Sequence, residues 1–336
     1  MKKIKIYFVE SPHQSKKILG REAKDYLFKE FEGVEFQIVK EISQIDFLWL
    51  PVAVLSLDMP AVTKEYIDRL LESAGGRNIS KVVIGDESKG FCLYLGRGKN
   101  TYFVKDDLFL QLDSAKNWNI VYNTLRKRKI TRLLEDEVII EGEDVHVDDT
   151  VTVEGGAILR SPITLKGNTV IKAGAVVENS IILDSVIESG ANVTCSHLVS
   201  SLVGGNTTVG PFARLREATI DRNCRIGDFV EVKNSTFESG VKCAHLAYVG
   251  DAVVGEKTNV GCGSVFCNYD GKHKHHTQVG KGVFIGANVN LVAPLKVGDG
   301  TYIAAGTTVT KDTDDNGFVI GRVRQENKET KKNNQT

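Results

Sequence analysis

The sequence predicts an α/β domain followed by an all-β left-handed parallel β-helix of hexapeptide repeats. Two observations carry this reading. Aliphatic residues recur every six positions through the second half of the chain, and strand-like and helix-like segments alternate through the first 120 residues.

The repeat is the stronger signal. Val147, Val153, Leu159, Leu165, Ile171, Val177 and Leu183 keep a strict spacing of six. The phase slips and resumes with Ile187, Val193 and Val199, again with Val203, Val209 and Leu215, and again with Ile220, Ile226 and Val232. Later pairs include Val254 and Val260, Ile285 and Leu291, and Ile303 and Val309. A period of six suits neither the 3.6-residue helix nor a hairpin meander. It suits a solenoid in which each hexapeptide makes one short strand and one turn, its aliphatic side chain pointing inward. Three hexapeptides close a triangular coil, so about 180 residues give roughly ten coils.

In the first domain, strands are expected over residues 3–9 and 47–57, the second fully buried, and over 81–84, 91–95 and 101–104. Helices are expected over 15–31 and 63–73, and from about Asn119 to Glu135. The alternation indicates a small α/β domain. Residues 1–118 form this domain, 119–141 a connecting helix and linker, 142–324 the β-helix and 325–336 a polar, frayed tail. The run Arg126-Lys127-Arg128-Lys129 reads as a solvated helix face.

Composition excludes several classes. The 43 basic and 43 acidic residues cancel, which is not the footprint of a nucleic-acid binder. No apolar stretch approaches the roughly 18 residues of a membrane span, and the start reads as a strand rather than a signal peptide. The six cysteines form no CxxC pair and read as small packing residues in a reducing cytoplasm. No metal site is expected.

Longer motifs are more specific than the repeat. They are GPFARLR (210–216), GDFVEVKNS (227–235), HLAYVGDA (245–252), TNVGCG (258–263), CNYDGKHKHHT (267–277) and FIGANVNLVAP (284–294). In this order they closely resemble the acetyltransferase half of the bacterial bifunctional GlmU family, the N-acetylglucosamine-1-phosphate uridyltransferase/glucosamine-1-phosphate acetyltransferases, from about Val145 to Gln325. The first domain resembles the uridyltransferase half only faintly, through Leu57-Asp58-Met59-Pro60 and the helix around Tyr122–Ile130. The glycine-rich nucleotide loop of that family is missing, and without glycines backbone amides cannot approach phosphates closely. No uridyltransferase activity is therefore expected, and the domain reads as shortened and degenerate. Asp58 is read as a structural loop residue.

The resemblance implies acetyl transfer from acetyl-CoA to the amine of glucosamine-1-phosphate. It makes His245 the base, a role that suits histidine because it titrates near neutral pH. It assigns Arg216, Lys233 and Lys274 to the sugar phosphate, with Tyr248 and Asn259 completing the sugar pocket. Asn268, Tyr269, Ala287, Ala305 and Arg322 fall on positions that contact the coenzyme. Ala287 stands where the family has serine, and His273 and His276 replace its usual Asn and Lys. The Cys262 amide is a candidate oxyanion donor. A cytoplasmic homotrimer is implied, with sites between subunits and with His245 and Arg322 contributed by different subunits.

Three other readings stay open at this stage. One is acetylation of a different amino sugar or of a sugar hydroxyl. Another is a non-catalytic scaffold or regulatory homologue. The third is a β-helix carbonic anhydrase binding zinc through histidines. His273, His275 and His276 argue against the last, because they crowd one loop.

Overall fold

The structure is a computed structural model that describes residues 4–45, 47, 51–74, 79–84, 91–95, 100–104 and 106–328. It divides into two compact units, one of residues 1–135 with 146–151, the other of residues 136–145 with 152–336.

In the first unit the elements are β1 (Lys5–Val9), β2 (Lys17–Ile18), β3 (Arg21–Glu22), α1 (Ala23–Glu30), β4 (Phe36–Val39), β5 (Val52–Ser56), α2 (Lys64–Ala74), β6 (Ile79–Ile84), β7 (Cys92–Tyr94), β8 (Asn100–Val104) and α3 (Ala115–Glu135). A six-stranded sheet runs in the order β4-β1-β5-β7-β6-β8, with β7 antiparallel to its neighbours and the other pairs parallel. All five residues of β5 are buried, as a central strand covered on both faces requires. The expected strand over 47–57 is thus shorter, and its residues 48–50 lie outside the described residues.

The helix expected over 15–31 is half hairpin. Leu19 and Gly20 both take positive φ, 46° and 78°, and turn β2 back onto β3. Two consecutive left-handed residues favour a tight hairpin over a helix. α3 begins at Ala115, earlier than expected, because Ser114 caps it by accepting from the Asn117 amide at 3.1 Å. Its basic run is also not a solvated face. Lys127 is exposed, but Arg128 and Lys129 are half-buried and hydrogen-bonded to backbone carbonyls.

Asp58 is fully buried and accepts from the hydroxyls of Ser11 at 2.7 Å and Ser56 at 2.5 Å and from Gln111 Nε2 at 3.0 Å. Two of the three donors, Ser11 and Gln111, lie 47 and 53 residues away, which makes Asp58 the polar tie of this unit.

The second unit is the left-handed parallel β-helix. Thr152 pairs with Val170, Val170 with Val186, Leu202 with Thr219, and so on through a parallel sheet of nine strands. Every inward position stacks on its equivalent one coil away. Val193, Val209, Ile226, Cys243, Val260 and Ile285 form one such column, each no more than 4% exposed. Burial pushes the Cys243 thiol up to about 12, so it serves there as a small apolar residue. Cys262 is exposed, and Cys195 and Cys267 are half-buried, so packing does not account for every cysteine.

The phase slips have a physical cause. The first coil, from Thr152 to Val170, has 18 residues, the next 16, and the coil from Leu202 to Thr219 has 17. The short coils turn their corners on one left-handed residue followed by a small buried one: Asn179-Ser180, Cys195-Ser196, Asp184-Ser185, Asn234-Ser235 and Asp251-Ala252. The small residue's hydroxyl accepts from the next coil, as Ser180 does from the Ser196 amide at 3.0 Å. One coil runs to 25 residues, from Val253 to Gln278, and its excess forms the loop carrying residues 268–276.

Asp58→Ala should leave Ser11, Ser56 and Gln111 without their buried acceptor and cost about 1–3 kcal/mol. Chemical denaturation of the whole chain, followed by a probe in the first unit, measures this; an unchanged midpoint would remove Asp58 from that role.

Candidate functional site

Two edges of the prism carry the site residues expected from the sequence. Along the first edge the chain bends at left-handed residues: Phe212 (φ 59°), Phe229 (φ 59°), Leu246 (φ 30°), Gly263 (φ 74°) and Asn288 (φ 54°). The residues just before these bends stack as well. Counting on from Cys243↔Val260, Val260↔Ile285 and Ile285↔Ile303, the positions of His245, Cys262, Ala287 and Ala305 are equivalent on successive coils. All four are exposed. Backbone bonds tie the line together: Gly263 donates to the Leu246 carbonyl at 2.6 Å, Asn288 to Cys262 at 2.7 Å and Gly306 to Ala287 at 2.8 Å. Arg322 Nη1 then donates to the Ala305 carbonyl at 2.9 Å. One open track therefore leads from His245 to Arg322 on a single chain. With strands about 4.8 Å apart, the three coil steps from His245 to Ala305 span about 14 Å. Among the described residues, His245 has no side-chain hydrogen bond to another expected site residue, and Asn259 lies in the same sheet, paired with Lys242 and Phe284.

The second edge holds a polar cluster. Arg216, Lys233 and Gly250 are ladder neighbours. A Cβ at Gly250 would fall 2.5 Å from the Tyr248 hydroxyl and 2.7 Å from Asn268 Nδ2, so only glycine lets these two groups meet above it. Arg216 pairs with Glu231, and its Nε is buried without a partner. Lys274 reaches in from the long loop, where a bridge between Tyr269 and Lys274 closes a hairpin. Tyr269 is exposed, with its hydroxyl on the Gly271 carbonyl at 2.7 Å. The Lys274 ammonium holds the Lys233 pKa below the ordinary lysine value, while Lys274 is raised by its hydrogen bond to Lys233 and by the Asp251 charge. Two lysine side chains facing one another, with a buried arginine Nε beside them, form a place for an anion.

Asp251 organises this edge, and the sequence reading missed it. It accepts from Asn234 Nδ2 at 2.6 Å on one side and from Asn268 Nδ2 on the other. Burial pushes its carboxyl upward, but these two hydrogen bonds and the charges of Lys274 and Lys233 outweigh burial and bring the pKa below its usual value. The signal was present: Asn234, Asp251 and Asn268 are each 17 residues apart, one coil. Phe212, Phe229 and Leu246 share that spacing on the first edge. They are 59%, 63% and 58% exposed, and the two phenyl rings stack with centroids 5.5 Å apart.

In the loop, the Asp270 carboxylate accepts from the amides of Lys272 and His273, both at 2.7 Å, and lies 2.8 Å from His275 Nε2. The His275 ring is thus used in shaping the loop. Among the described residues no cluster of three or more His, Cys, Asp or Glu is placed to hold a metal, and no helix is long and apolar enough to cross a membrane.

Residues 160–232 match the family model of the GlmU-like C-terminal hexapeptide, and residues 276–311 match that of the bacterial transferase hexapeptide (six repeats). The bifunctional protein GlmU of Clostridium novyi is 48% identical over 206 residues, which is 60% of this chain and 45% of the relative. The β-helix is GlmU-like. The bifunctional protein GlmU of Sorangium cellulosum is 46% identical over 186 residues, 54% of this chain and 39% of its own length. The chain thus spans less than half the length of these GlmU relatives. The solved UDP-N-acetylglucosamine acyltransferase of Francisella novicida is 14% identical, covers 52% of this chain and 62% of its own, and superposes with a TM-score of 0.34.

A depressed carboxyl stabilises the fold above its unfolded pKa, and the contribution is lost as the pH falls through the folded value. Asp251→Asn should therefore cost about 1–3 kcal/mol at neutral pH. The gap to wild type should close as the pH drops below about 4, near the ordinary Asp pKa. Urea titrations at several pH values measure it, and a gap constant with pH would overturn the assigned charge.

Proposed function

We propose that the chain is an acyltransferase moving the acetyl group of acetyl-CoA to the amine of glucosamine-1-phosphate. The observation that carries this reading is the exposed line from His245 through Cys262, Ala287 and Ala305 to Arg322. An extended coenzyme fits such a track, with its thioester at His245 and a phosphate at Arg322. Ala287 offers no hydroxyl there, so the coenzyme is held by backbone and by Arg322. The reaction and the acceptor are those that the motifs' resemblance to the GlmU family implies, and the cation cluster at Arg216, Lys233 and Lys274 suits a sugar phosphate.

In the reaction the acceptor amine attacks the thioester carbonyl. His245 takes the proton the amine loses, the carbon–sulfur bond breaks, and coenzyme A leaves as the thiol with that proton. Tyr248 and Asn259 offer neutral hydrogen-bonding groups for hydroxyls and the amine. Asn268 and Tyr269 sit on the second edge beside the cation cluster, and they reach the coenzyme on the first edge of a neighbouring prism. Fixed donors aimed at the developing oxyanion contribute further, with the Cys262 amide as the candidate.

The acting unit is a homotrimer in the cytoplasm. Within one chain, His245 lies five residues along its strand from Gly250, the ladder partner of Lys233. At most about 16 Å of chain separates them, and the corner at Leu246 lies between, so the two stand on different edges of one prism. A neighbouring prism closes the gap by laying its first edge against this second edge. The exposed Phe212, Phe229 and Leu246 supply the apolar contact for that packing. The division of labour between subunits is then His245 against Lys233. It differs from the expectation that His245 and Arg322 come from different subunits, because the track runs along one chain.

Coenzyme A release with glucosamine-1-phosphate and acetyl-CoA tests the activity. His245→Ala should lower turnover by about 10² to 10⁴ while melting like wild type. Wild-type turnover would remove His245 as the base, and pyrophosphate release from UTP above background would overturn the absence of uridylyl transfer.

Mixing His245→Ala with Lys233→Gln subunits and reassembling them should restore sites carrying both native residues. Activity equal to the mean of the two parents would reject sharing. A fully active monomer in sedimentation would reject the trimer.

A further inference from the structure

A second cation cluster lies in the first unit and shares no residue with the acetyl-transfer site. It lines a pocket of about 190 Å³ between α1 and α3, with Lys29, Arg128, Lys129 and Arg132 in its wall. Two carboxylates, Glu30 and Asp149, face them. The Asp149 carboxylate is 8% exposed and already engaged: Arg21 Nε donates to it at 2.8 Å, with Lys29 Nζ at 3.7 Å and Arg132 Nη1 at 3.8 Å. Among the described residues, four cations and two carboxylates thus line the pocket.

Among the described residues the hydrogen bonds of the inner pair go to backbone carbonyls, with the charges of Glu30 and Asp149 nearby. Arg128 Nη2 donates to Ala61 O at 2.6 Å, and Lys129 Nζ to Val151 O at 2.7 Å and to Asp149 O at 3.3 Å. Carbonyls solvate a cation without neutralising it. Burial accordingly draws the pKa of both side chains below the ordinary values. A half-buried positive excess is expensive unless paired. An anion placed in the pocket removes that cost, and an excess of this size suits a group of more than one negative charge, such as phosphate.

The pocket is smaller than the roughly 300–1,000 Å³ of sites that enclose a whole ligand. It opens beside a groove of about 460 Å³ that shares Arg128 and Arg132 and adds Thr124, Lys127, Thr131 and Glu135. The groove's lining side chains all end in hydroxyls or charges, and their aliphatic stems form its wall. We propose that the first unit binds a phosphate monoester here. The phosphate sits against Lys29, Arg128 and Arg132, and a polar body, of the kind a sugar or nucleoside provides, lies in the groove along α3. Arginine suits the task because its planar fork meets two phosphate oxygens at once.

The test is calorimetric titration of the full chain at fixed ionic strength with inorganic phosphate, ribose 5-phosphate and AMP. It is run in an Arg216→Gln/Lys233→Gln background, which disables the cation cluster of the β-helix. The expected result is saturable binding, with at least one ester at least tenfold tighter than inorganic phosphate. Lys29→Gln/Arg132→Gln, two side chains each 53% exposed, should weaken it at least tenfold while melting like its parent. Equal affinity for phosphate and both esters would overturn the monoester assignment. No saturable binding, or binding indifferent to Lys29→Gln/Arg132→Gln, would overturn the site. Because the background already lacks the β-helix cluster, these outcomes leave the acetyl-transfer reading untouched.

Discussion

Parallel stacking of one coil on the next is the constraint from which the rest of the β-helix follows. A parallel ladder repeats the same residue position every 4.8 Å or so. An inward Ile226 therefore demands an inward Cys243 above it and an inward Val209 below. Corners inherit the demand, because three faces of fixed width must meet at the same places on each coil. Where a coil has 16 or 17 residues rather than 18, one left-handed residue has to make a corner that two or three make elsewhere. Stability and site are thus built by one device, since the columns that stack the core also stack the residues outside it.

That device explains what the sequence made legible. The inward aliphatics are an obligate period-six pattern, so the solenoid could be read directly from Val147 to Val309. The first unit was harder because its periods are short and compete. The segment 15–31 has helical periodicity, yet Leu19-Gly20 supplies a hairpin turn that local periodicity does not weigh. The run 126–129 looked solvated because charge is a good guide to exposure only when no partner is at hand. Arg128 found the Ala61 carbonyl 67 residues away in sequence, and no local pattern announces such a pairing.

The site was legible in residues but not in arrangement. His245, Ala287, Ala305 and Arg322 came from separate motifs, and nothing within a motif says that they share an edge. The coil lengths say it, once the 25-residue coil is recognised as a loop insertion rather than a loss of phase. Asp251 escaped notice for a related reason. A lone aspartate in YVGD looks like turn chemistry, and it does occupy a left-handed corner. Its importance lies in Asn234 and Asn268, one coil to either side, which turn three ordinary corner residues into a hydrogen-bonded stack.

The first edge carries a further consequence. Phenylalanine and leucine with positive φ are costly, on the order of 1–3 kcal/mol for each residue held in a disfavoured region. Asparagine or glycine would make the same corners cheaply, and does so at Asn179, Gly263 and Asn288. Phe212, Phe229 and Leu246 instead spend stability to set apolar side chains outside the prism, on consecutive coils, where the core gains nothing from them. On this edge the corner one coil below Phe212 is the smaller Cys195, and the corner one coil above Leu246 is Gly263. Bulky left-handed corners on this edge are confined to three coils and end beside His245, which fits an edge that meets a neighbouring prism in the proposed trimer. In that proposed packing the surface and the bends are one feature, and a corner changed to asparagine at Phe229 would gain local ease while losing the apolar surface the bend presents.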